Sequence, residues 1–164
     1  MSQAFVAMGS NMNDPMQQLS VAYGSLVRYA CITPTAASHV YLSSPMGPQD
    51  QPDFYNAVVA VRTSLEPQQL LETLLLTERS MGRQRTRHWG ERCIDLDLLF
   101  YDDRQINTDS LVLPHPRAHQ RLFVLDPLIE LLGERYIFQG KGLLQSLRAQ
   151  CTGQTIRVLC DFPA

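Results

Sequence analysis

The order of strand and helix signals along the chain predicts an α+β sandwich rather than a doubly wound parallel sheet. Two observations carry this prediction: apolar runs typical of strands alternate with helical periodicities, and links of hairpin length join the later elements. The composition is that of a globular protein, because 45% of the residues are hydrophobic and 18% are charged. A length of 164 residues favours a single core. We therefore expect one domain over residues 1–164.

The first half of the chain carries signals for three strands and two helices. Apolar runs predict strands at Ala4–Met8, around Ser38–Leu42 and at Phe54–Thr63. A first helix is expected after Asp14, a good capping residue followed by Pro15. A second is expected from Pro67 to about Gly82, since glycine commonly follows a helix end. The apolar stripes of the two helices are Met16, Leu19, Tyr23 and Leu26, and Leu70, Leu71, Leu74 and Leu75.

The second half is predicted to begin with a loop and a strand from about Cys93 to Tyr101. A turn then leads into a short returning strand near Ile106. The stretch LPHPRAHQRLFVLDPLIELLG indicates an extended segment followed by a third helix. A short helix at Leu143–Gln150 and a final strand at Thr155–Leu159 complete the expected elements.

Charge, cysteine spacing and hydropathy narrow the function classes. A formal net charge of -2 argues weakly against a protein that coats nucleic acid. The four cysteines, which lack CxxC or zinc-ligand spacing, are Cys31, Cys93, Cys151 and Cys160. They are expected to be free thiols in a reducing compartment. The N-terminus lacks a signal-peptide pattern, and no apolar stretch approaches the roughly 18 residues of a membrane span. We expect a cytoplasmic monomer without nucleic-acid or membrane partners.

Two aspartates stand at alternate positions of one predicted strand, in CIDLDLLFY. Because side chains alternate along a strand, Asp95 and Asp97 should leave the same face, with Cα atoms roughly 6.6 Å apart. The opposite, core-facing set is expected to be Ile94, Leu96, Leu98 and Phe100. Mg²⁺ typically takes one or two carboxylates together with substrate phosphates. A solvated strand face is the alternative, but aspartate is disfavoured in strands and two neighbouring carboxylates repel each other.

A cationic segment, RQRTRHWGER, directly precedes this strand. Arg79 and Arg83 lie near a predicted helix C-terminus, where cations are favourable for structural reasons alone. That explanation does not cover Arg85, Arg87 and Arg92. Arginine's planar fork suits bidentate binding of phosphate. Arginines beside a carboxylate pair match a phosphoryl-transfer layout, with metal ions on one side of the phosphates and arginine on the other.

Two further segments are candidates for ligand contacts. His115 stands between two prolines, which stiffen the backbone and aim the imidazole, although a surface histidine is the more ordinary reading. The long loop SSPMGPQDQPDFYN is typical of a functional segment. Asn56 is able to offer an amide to a heteroaromatic ring, and Phe123 or Tyr55 to stack on one; a core role for Tyr55 is equally open. No P-loop or dinucleotide fingerprint is present.

Six motifs occur together in one order: GSN after the first strand, GPQDQPDFYNAV, GR…R…WGER…IDLDLLF, IN, LPHP and R-x-F. In this combination the chain resembles the 6-hydroxymethyl-7,8-dihydropterin pyrophosphokinase family of folate biosynthesis. The resemblance covers essentially the whole chain. It implies a three-layer αβα sandwich with a ferredoxin-like core and a mostly antiparallel central sheet. It also implies transfer of the terminal diphosphate of ATP to the pterin hydroxymethyl group, with release of AMP.

The resemblance also implies roles for individual residues. Catalytic roles fall on Arg83, Arg92, Asp95 and Asp97, and the two aspartates are expected to hold two Mg²⁺ ions. Pterin-site positions are Ser43, Pro45, Met46, Gly47, Phe54, Asn56, Trp89, Asp95 and Phe123. ATP-site positions are Glu78, Arg83, Arg85, Trp89, Arg92, Leu98, His115 and Arg121. Departures from the family pattern at Leu75, His88 and Ser110 bear on ATP affinity.

Two other functions compete with this interpretation. An RNA-binding module is one, since ferredoxin-like sheets with basic loops recur there. RNA readers expose aromatic rings on the sheet, however, whereas this strand exposes Asp95 and Asp97, which repel a phosphate backbone. A metal-dependent phosphoesterase is the other. It has no need of the pterin-type loop.

Overall fold

A six-stranded antiparallel sheet forms the centre of the molecule in a computed structural model, which describes residues 1–82 and 93–163. The strands of this sheet are β1 (Ser2–Ser10), β2 (Ile32–Ala37), β3 (Val40–Ser43), β4 (Phe54–Thr63), β5 (Asp95–Tyr101) and β10 (Ile156–Cys160). The order across the sheet is β10-β3-β4-β1-β5, and β2 pairs with β4. Every pairing is antiparallel, as the predicted fold class requires.

Helices and two small hairpins surround the sheet. The helices are α1 (Pro15–Val27), α2 (Pro67–Ser80), α3 (Leu122–Leu132) and α4 (Leu144–Gln150), with a 3-10 turn at Ala118–Gln120. The hairpins pair β6 (Ile106–Asn107) with β7 (Val112–Leu113), and β8 (Ile137–Phe138) with β9 (Gly142–Leu143). In the part of the chain that the structure describes, no helix combines the length and apolar character of a membrane span.

The alternation of side chains along β1 separates two hydrophobic cores, one on each face of the sheet. Val6 and Met8 pack with Leu19 of α1 and Leu74 of α2 in the first core. On the other face, Phe5 and Ala7 pack with α3 and α4 residues in the second core. Burying a leucine side chain completely stabilises the fold by roughly 1.5–3 kcal/mol. The helices therefore cover both faces, which gives the three-layer αβα arrangement.

Local signals place several boundaries where the sequence predicts them. The strand at Phe54–Thr63 has the predicted bounds. Helix α1 begins at Pro15, and the Asp14 carboxylate accepts a hydrogen bond from the Gln17 N–H at 3.4 Å. Helix α2 ends at Ser80, and Gly82 follows with a φ of 77°, the left-handed conformation that favours glycine.

One strand of the central sheet has no counterpart in the prediction. Strand β2 contains Pro34, which has no N–H to donate to a sheet ladder. The structure accommodates it because β2 pairs with β4 alone, and the register shifts between Pro34 and Ala36. Outer strands and bulges are where a sheet tolerates proline, so composition alone argues against a strand that tertiary pairing permits.

The prediction that Phe100 faces the same core as Leu96 is wrong. The pairing of β1 with β5 skips a residue: Phe5 stands opposite Phe100, but Val6 stands opposite Leu98. The extra residue, Leu99, forms a β-bulge that interrupts the alternation. Leu96 and Leu98 consequently join the first core, whereas Leu99 and Phe100 join the second. The bulge lies beyond the aspartates and leaves their shared face intact.

Candidate active site

A cavity of about 380 Å³ opens at the end of the sheet where β1 finishes and β5 starts. The ends of β3 and β4 form one wall, and the segment entering α3 forms another. Nine residues predicted from the sequence line it: Ser43, Met46, Phe54, Asn56, Asp95, Asp97, His115, Arg121 and Phe123. They come from five separate stretches of the chain, so the fold assembles the predicted residues into one site.

The aspartate pair forms the wall that this cavity shares with a second one. In the β1–β5 ladder Asp95 stands opposite Gly9 and Asp97 opposite Ala7. Leu96 between them is buried in the first core, so both carboxylates leave the other face. Both aspartates line both cavities. Two partly exposed carboxylates on one face are hard oxygen donors, and this donor set fits Mg²⁺.

The second cavity, of about 300 Å³, lies on the α2 side of the aspartates. Three of the predicted ATP-site residues line it: Glu78, Leu98 and His115. Leu75 and Ser110, two positions that depart from the family pattern, line it as well. The Ser110 hydroxyl donates to the Gln68 side-chain oxygen at 3.1 Å. The remaining wall is mostly apolar: Leu71, Leu96, Leu111 and Val112.

The Asn56 amide has a defined orientation in the first cavity. Its Nδ2 donates to the Ser43 hydroxyl at 2.7 Å and to the Phe54 carbonyl at 3.2 Å. Asn56 is buried, with 4% of its surface exposed. Since both N–H bonds are engaged, Oδ1 remains as the acceptor for a ligand N–H. Tyr55 points to the opposite face and packs against the first core, so the core interpretation of Tyr55 is correct.

The loop between β3 and β4 is held by polar side chains that the sequence reasoning did not single out. Asn11 Nδ2 donates to the Gln51 side-chain oxygen at 2.9 Å and to the Pro52 carbonyl at 3.0 Å. Both Asn11 and Gln51 are buried. The carbonyls of Pro45 and Gly47, two predicted pterin-site residues, each accept from Gln49 Nε2 at 2.9 Å. These two lie in the loop next to the cavity rather than in its lining. The sequence did contain a signal for the contact between Asn11 and Gln51, since these residues belong to the GSN and GPQDQPD motifs.

His115 is set up as a neutral imidazole. Its Nδ1 accepts the backbone N–H of Arg117 at 3.2 Å, so the neutral ring carries its proton on Nε2. Burial, aided by the nearby positive charge of Arg121, lowers the pKa of His115 to about 4, although Asp95 opposes the shift. At neutral pH the ring is therefore a neutral group between the two cavities. Arg117, which was not predicted, also lines the first cavity.

Arg121 supplies a cation beside the two carboxylates. Burial lowers the pKa of its guanidinium, while Asp97 and Asp95 act in the opposite direction. The guanidinium carbon lies 5.5 Å from the centre of the Phe123 ring, which lines the same cavity. The predicted loop residues Arg83, Arg85, Trp89 and Arg92, with His88, lie outside the described residues.

Gly9→Ala is expected to weaken binding in the first cavity. Gly9 pairs with Asn56 across β1 and β4, and a Cβ at Gly9 would lie 3.1 Å from Asn56 Oδ1. That contact is tighter than normal packing, so the amide must shift by a few tenths of an ångström. We expect the KM for a ligand recognised by Asn56 to rise about tenfold, which corresponds to the loss of one hydrogen bond. Steady-state kinetics measure it.

Gly24→Ala in α1 is the matched control for this substitution. Nothing lies within 4 Å of its added Cβ, and alanine in place of glycine stabilises a helix by about 0.5–1 kcal/mol. The control should raise the thermal unfolding temperature without changing KM. An unchanged KM in Gly9→Ala contradicts the role assigned to the Asn56 amide.

Comparisons with known proteins agree with this geometry. Residues 5–133 match the family described as 7,8-dihydro-6-hydroxymethylpterin-pyrophosphokinase. A Haemophilus influenzae 2-amino-4-hydroxy-6-hydroxymethyldihydropteridine pyrophosphokinase is 42% identical over 134 residues, which are 82% of this chain and 84% of that protein. The Bacillus subtilis protein of the same name is 42% identical over 128 residues, 78% of this chain and 77% of the other.

A solved structure shares the fold at low sequence identity. The wild-type HPPK-DHPS of Plasmodium falciparum, with pteroate, superimposes with a TM-score of 0.70 at 13% identity. The match covers 90% of this chain and 44% of that one, so this chain spans less than half of the larger protein. At this identity the match bears on the fold alone, and it agrees with the predicted three-layer sandwich.

Proposed function

The chain belongs to the 7,8-dihydro-6-hydroxymethylpterin-pyrophosphokinase family, and we propose that it catalyses the reaction named by that family. It transfers diphosphate from ATP to the hydroxymethyl group of 6-hydroxymethyl-7,8-dihydropterin in folate biosynthesis. The products are AMP and the pterin diphosphate ester. The observation that carries this proposal is the position of Asp95 and Asp97 on the wall shared by two cavities. A polyphosphate crossing that wall has one end in each cavity.

The first cavity suits the pterin. Phe54 and Phe123 line it as two aromatic rings for stacking on a bicyclic ring, and the Asn56 Oδ1 accepts from a ring N–H. Ser43 holds the Asn56 amide, and Met46 supplies apolar lining. Pro45 and Gly47 shape the loop beside them. We assign Trp89 to the same site from the sequence motif.

The second cavity suits the nucleotide. Its apolar wall, which includes Leu98, matches the faces of a purine base, and Glu78 and His115 line the same cavity. The proximity of Arg121 to Asp95 and Asp97 and its positive charge support a role in binding the phosphates. From the sequence motif we assign Arg83, Arg85, Trp89 and Arg92 to the phosphate chain, with Arg83 and Arg92 contributing to catalysis.

Asp95 and Asp97 are the residues that would hold two Mg²⁺ ions. When bound, such ions would neutralise the phosphate charge during the transfer. The protein residues do the positioning. Asn56 and the two rings orient the pterin, and Arg121 stabilises the charge that develops on the transferred group. Neutral His115 adds no second charge that would compete with the cations.

Three finer features belong to the same proposal. Residues 1–164 form one catalytic domain, since both cores and both cavities draw on elements from each half of the chain. We expect the enzyme to act as a monomer on its small-molecule substrates. It works in the cytoplasm, a reducing compartment that suits the free thiols Cys31, Cys93, Cys151 and Cys160.

The product nucleotide tests the reaction. Incubating the protein with ATP, Mg²⁺ and 6-hydroxymethyl-7,8-dihydropterin should yield AMP and the pterin diphosphate in equal amounts, because the bond broken lies between the α- and β-phosphates. ADP as the product, or turnover that does not depend on the pterin, would rule this function out. Release of inorganic diphosphate without a pterin ester would instead identify the phosphoesterase.

A further inference from the structure

A buried carboxylate on α2 reaches the strand that carries the two aspartates. Glu78 is 4% exposed, and its Oε2 accepts the backbone N–H of Leu96 at 2.7 Å. Burying a carboxylate is unfavourable unless it is hydrogen-bonded or paired. The distance is typical of a charge-assisted hydrogen bond, which is roughly twice as strong as a neutral one. The contact therefore ties helix α2 to the backbone between Asp95 and Asp97.

The topology explains why the Leu96 N–H needs this partner. Strand β5 lies at the end of the sheet and pairs with β1 on one side. Along an antiparallel edge strand, alternate N–H groups point away from the neighbouring strand. The Leu96 N–H is of this outward type, and the Glu78 carboxylate receives it. No other backbone position lies between the two aspartates.

We propose that Glu78 is a positioning residue for the Asp95–Asp97 pair. By holding the Leu96 N–H, its carboxylate fixes the backbone from which both aspartates project, so the donors are aligned before a cation arrives. The proposal rests on the proposed function in one respect, namely that these aspartates hold the cations. The proposal adds a residue that affects the reaction indirectly, because it fixes the backbone of strand β5.

The chemistry of the carboxylate favours this role over direct contact with the phosphates of ATP. An ionised carboxylate only accepts hydrogen bonds, and phosphate oxygens also only accept. A direct contact between Glu78 and the polyphosphate would therefore be repulsive. A hydrogen bond to a backbone N–H uses the carboxylate as an acceptor, and its negative charge adds a favourable field for cations at the neighbouring aspartates.

Two substitutions of Glu78 separate the acceptor from the charge. Glu78→Gln keeps a side-chain oxygen that accepts the Leu96 N–H, and Glu78→Met keeps the volume but removes the acceptor. Glu72→Met is the matched control, since Glu72 is exposed on the same helix.

The first measurement is hydrogen exchange of the Leu96 amide by NMR in metal-free protein. The second is binding of Mn²⁺, as a probe for Mg²⁺, without nucleotide or pterin. The third is KM for ATP against kcat.

Glu78→Met should increase Leu96 exchange at least about tenfold and weaken Mn²⁺ binding about tenfold, as loss of a residue that orients metal ligands does. We expect kcat to fall with Mn²⁺ affinity while KM for ATP changes less than about twofold, because ground-state nucleotide contacts are kept. Glu78→Gln should stay within about threefold of wild type in Leu96 exchange and in Mn²⁺ binding, since its acceptor remains. Glu72→Met should match wild type.

Unchanged Leu96 exchange in Glu78→Met, or a rise in KM for ATP with kcat unchanged, overturns the proposal. If Glu78→Met does not fold, Glu78→Gln decides: retained Leu96 protection and Mn²⁺ affinity support it, and a tenfold loss overturns it. A wild-type protein that forms no AMP would refute the proposed function. Leu96 exchange and Mn²⁺ binding need no substrate, so these two measurements would still test the role of Glu78.

Discussion

Asp97→Asn is expected to lower kcat for AMP formation at least about 10³-fold, the largest effect of any single substitution in the site. The amide loses the negative charge and directs N–H groups at the cation that the carboxylate would hold. Asp97 lines both cavities, so under the proposed function the substitution would act where the phosphate chain crosses from one cavity to the other. Steady-state turnover at saturating Mg²⁺ measures the effect.

The fold should survive this substitution. Asp97 is partly exposed, and removing one of two neighbouring like charges is not expected to cost more than about 1 kcal/mol of the free energy of unfolding. Asp103→Asn is the matched control, because Asp103 is exposed in the turn after β5. It should retain wild-type turnover. Turnover within tenfold of wild type in Asp97→Asn would show that Asp97 does not hold an essential cation.

Arg121→Met is expected to lower kcat/KM for ATP about 10²-fold, the second largest effect. A charge-assisted hydrogen bond from arginine to phosphate contributes about 1.5–3 kcal/mol, and partial burial strengthens it. Methionine keeps the apolar stem against Phe123, so the packing at this cavity wall is retained. Kinetics with ATP as the varied substrate measure the loss.

Cation binding in the absence of nucleotide should change in the opposite direction. The Arg121 charge lies beside Asp95 and Asp97 and opposes a divalent cation there. Arg121→Met is therefore expected to tighten Mn²⁺ binding about threefold while turnover falls. Arg135→Met, at an exposed arginine, should change neither quantity. Equal weakening of Mn²⁺ binding and turnover would indicate a structural role for Arg121 instead.

Local chemistry determined which parts of the fold were predictable. The bounds of β4 and the start of α1 follow from an apolar run and from a capping aspartate before a proline, so they depend on neighbours in sequence. Strand β2 was missed because Pro34 is unfavourable in a ladder, and only its outer position beside β4 makes it acceptable. The wrong side assigned to Phe100 has a similar origin, since the bulge at Leu99 is a property of the pairing with β1.

The candidate site was also only partly predictable from the sequence. Residue types and spacing were sufficient to name Asp95 and Asp97 as a pair on one strand face, and the combined motifs added the pterin and the transferred group. The position of both aspartates on a wall shared by two cavities depends on where β1, β5 and α2 meet. The contact of Glu78 with the Leu96 N–H joins residues 18 positions apart. No spacing rule predicts such a contact.

By itself the sequence determined the chemical types at the site, because side-chain chemistry and short-range spacing are properties of the chain, and its resemblance to a known family indicated the reaction class. Only the tertiary structure decided which of those groups meet. It oriented the Asn56 amide through a hydrogen bond to Ser43, brought the Arg121 charge close to the two carboxylates, and joined Leu96 to Glu78. The physical reason is that hydrogen bonds and charge interactions act over a few ångströms, and distant segments come within that range only when the sheet and helices pack.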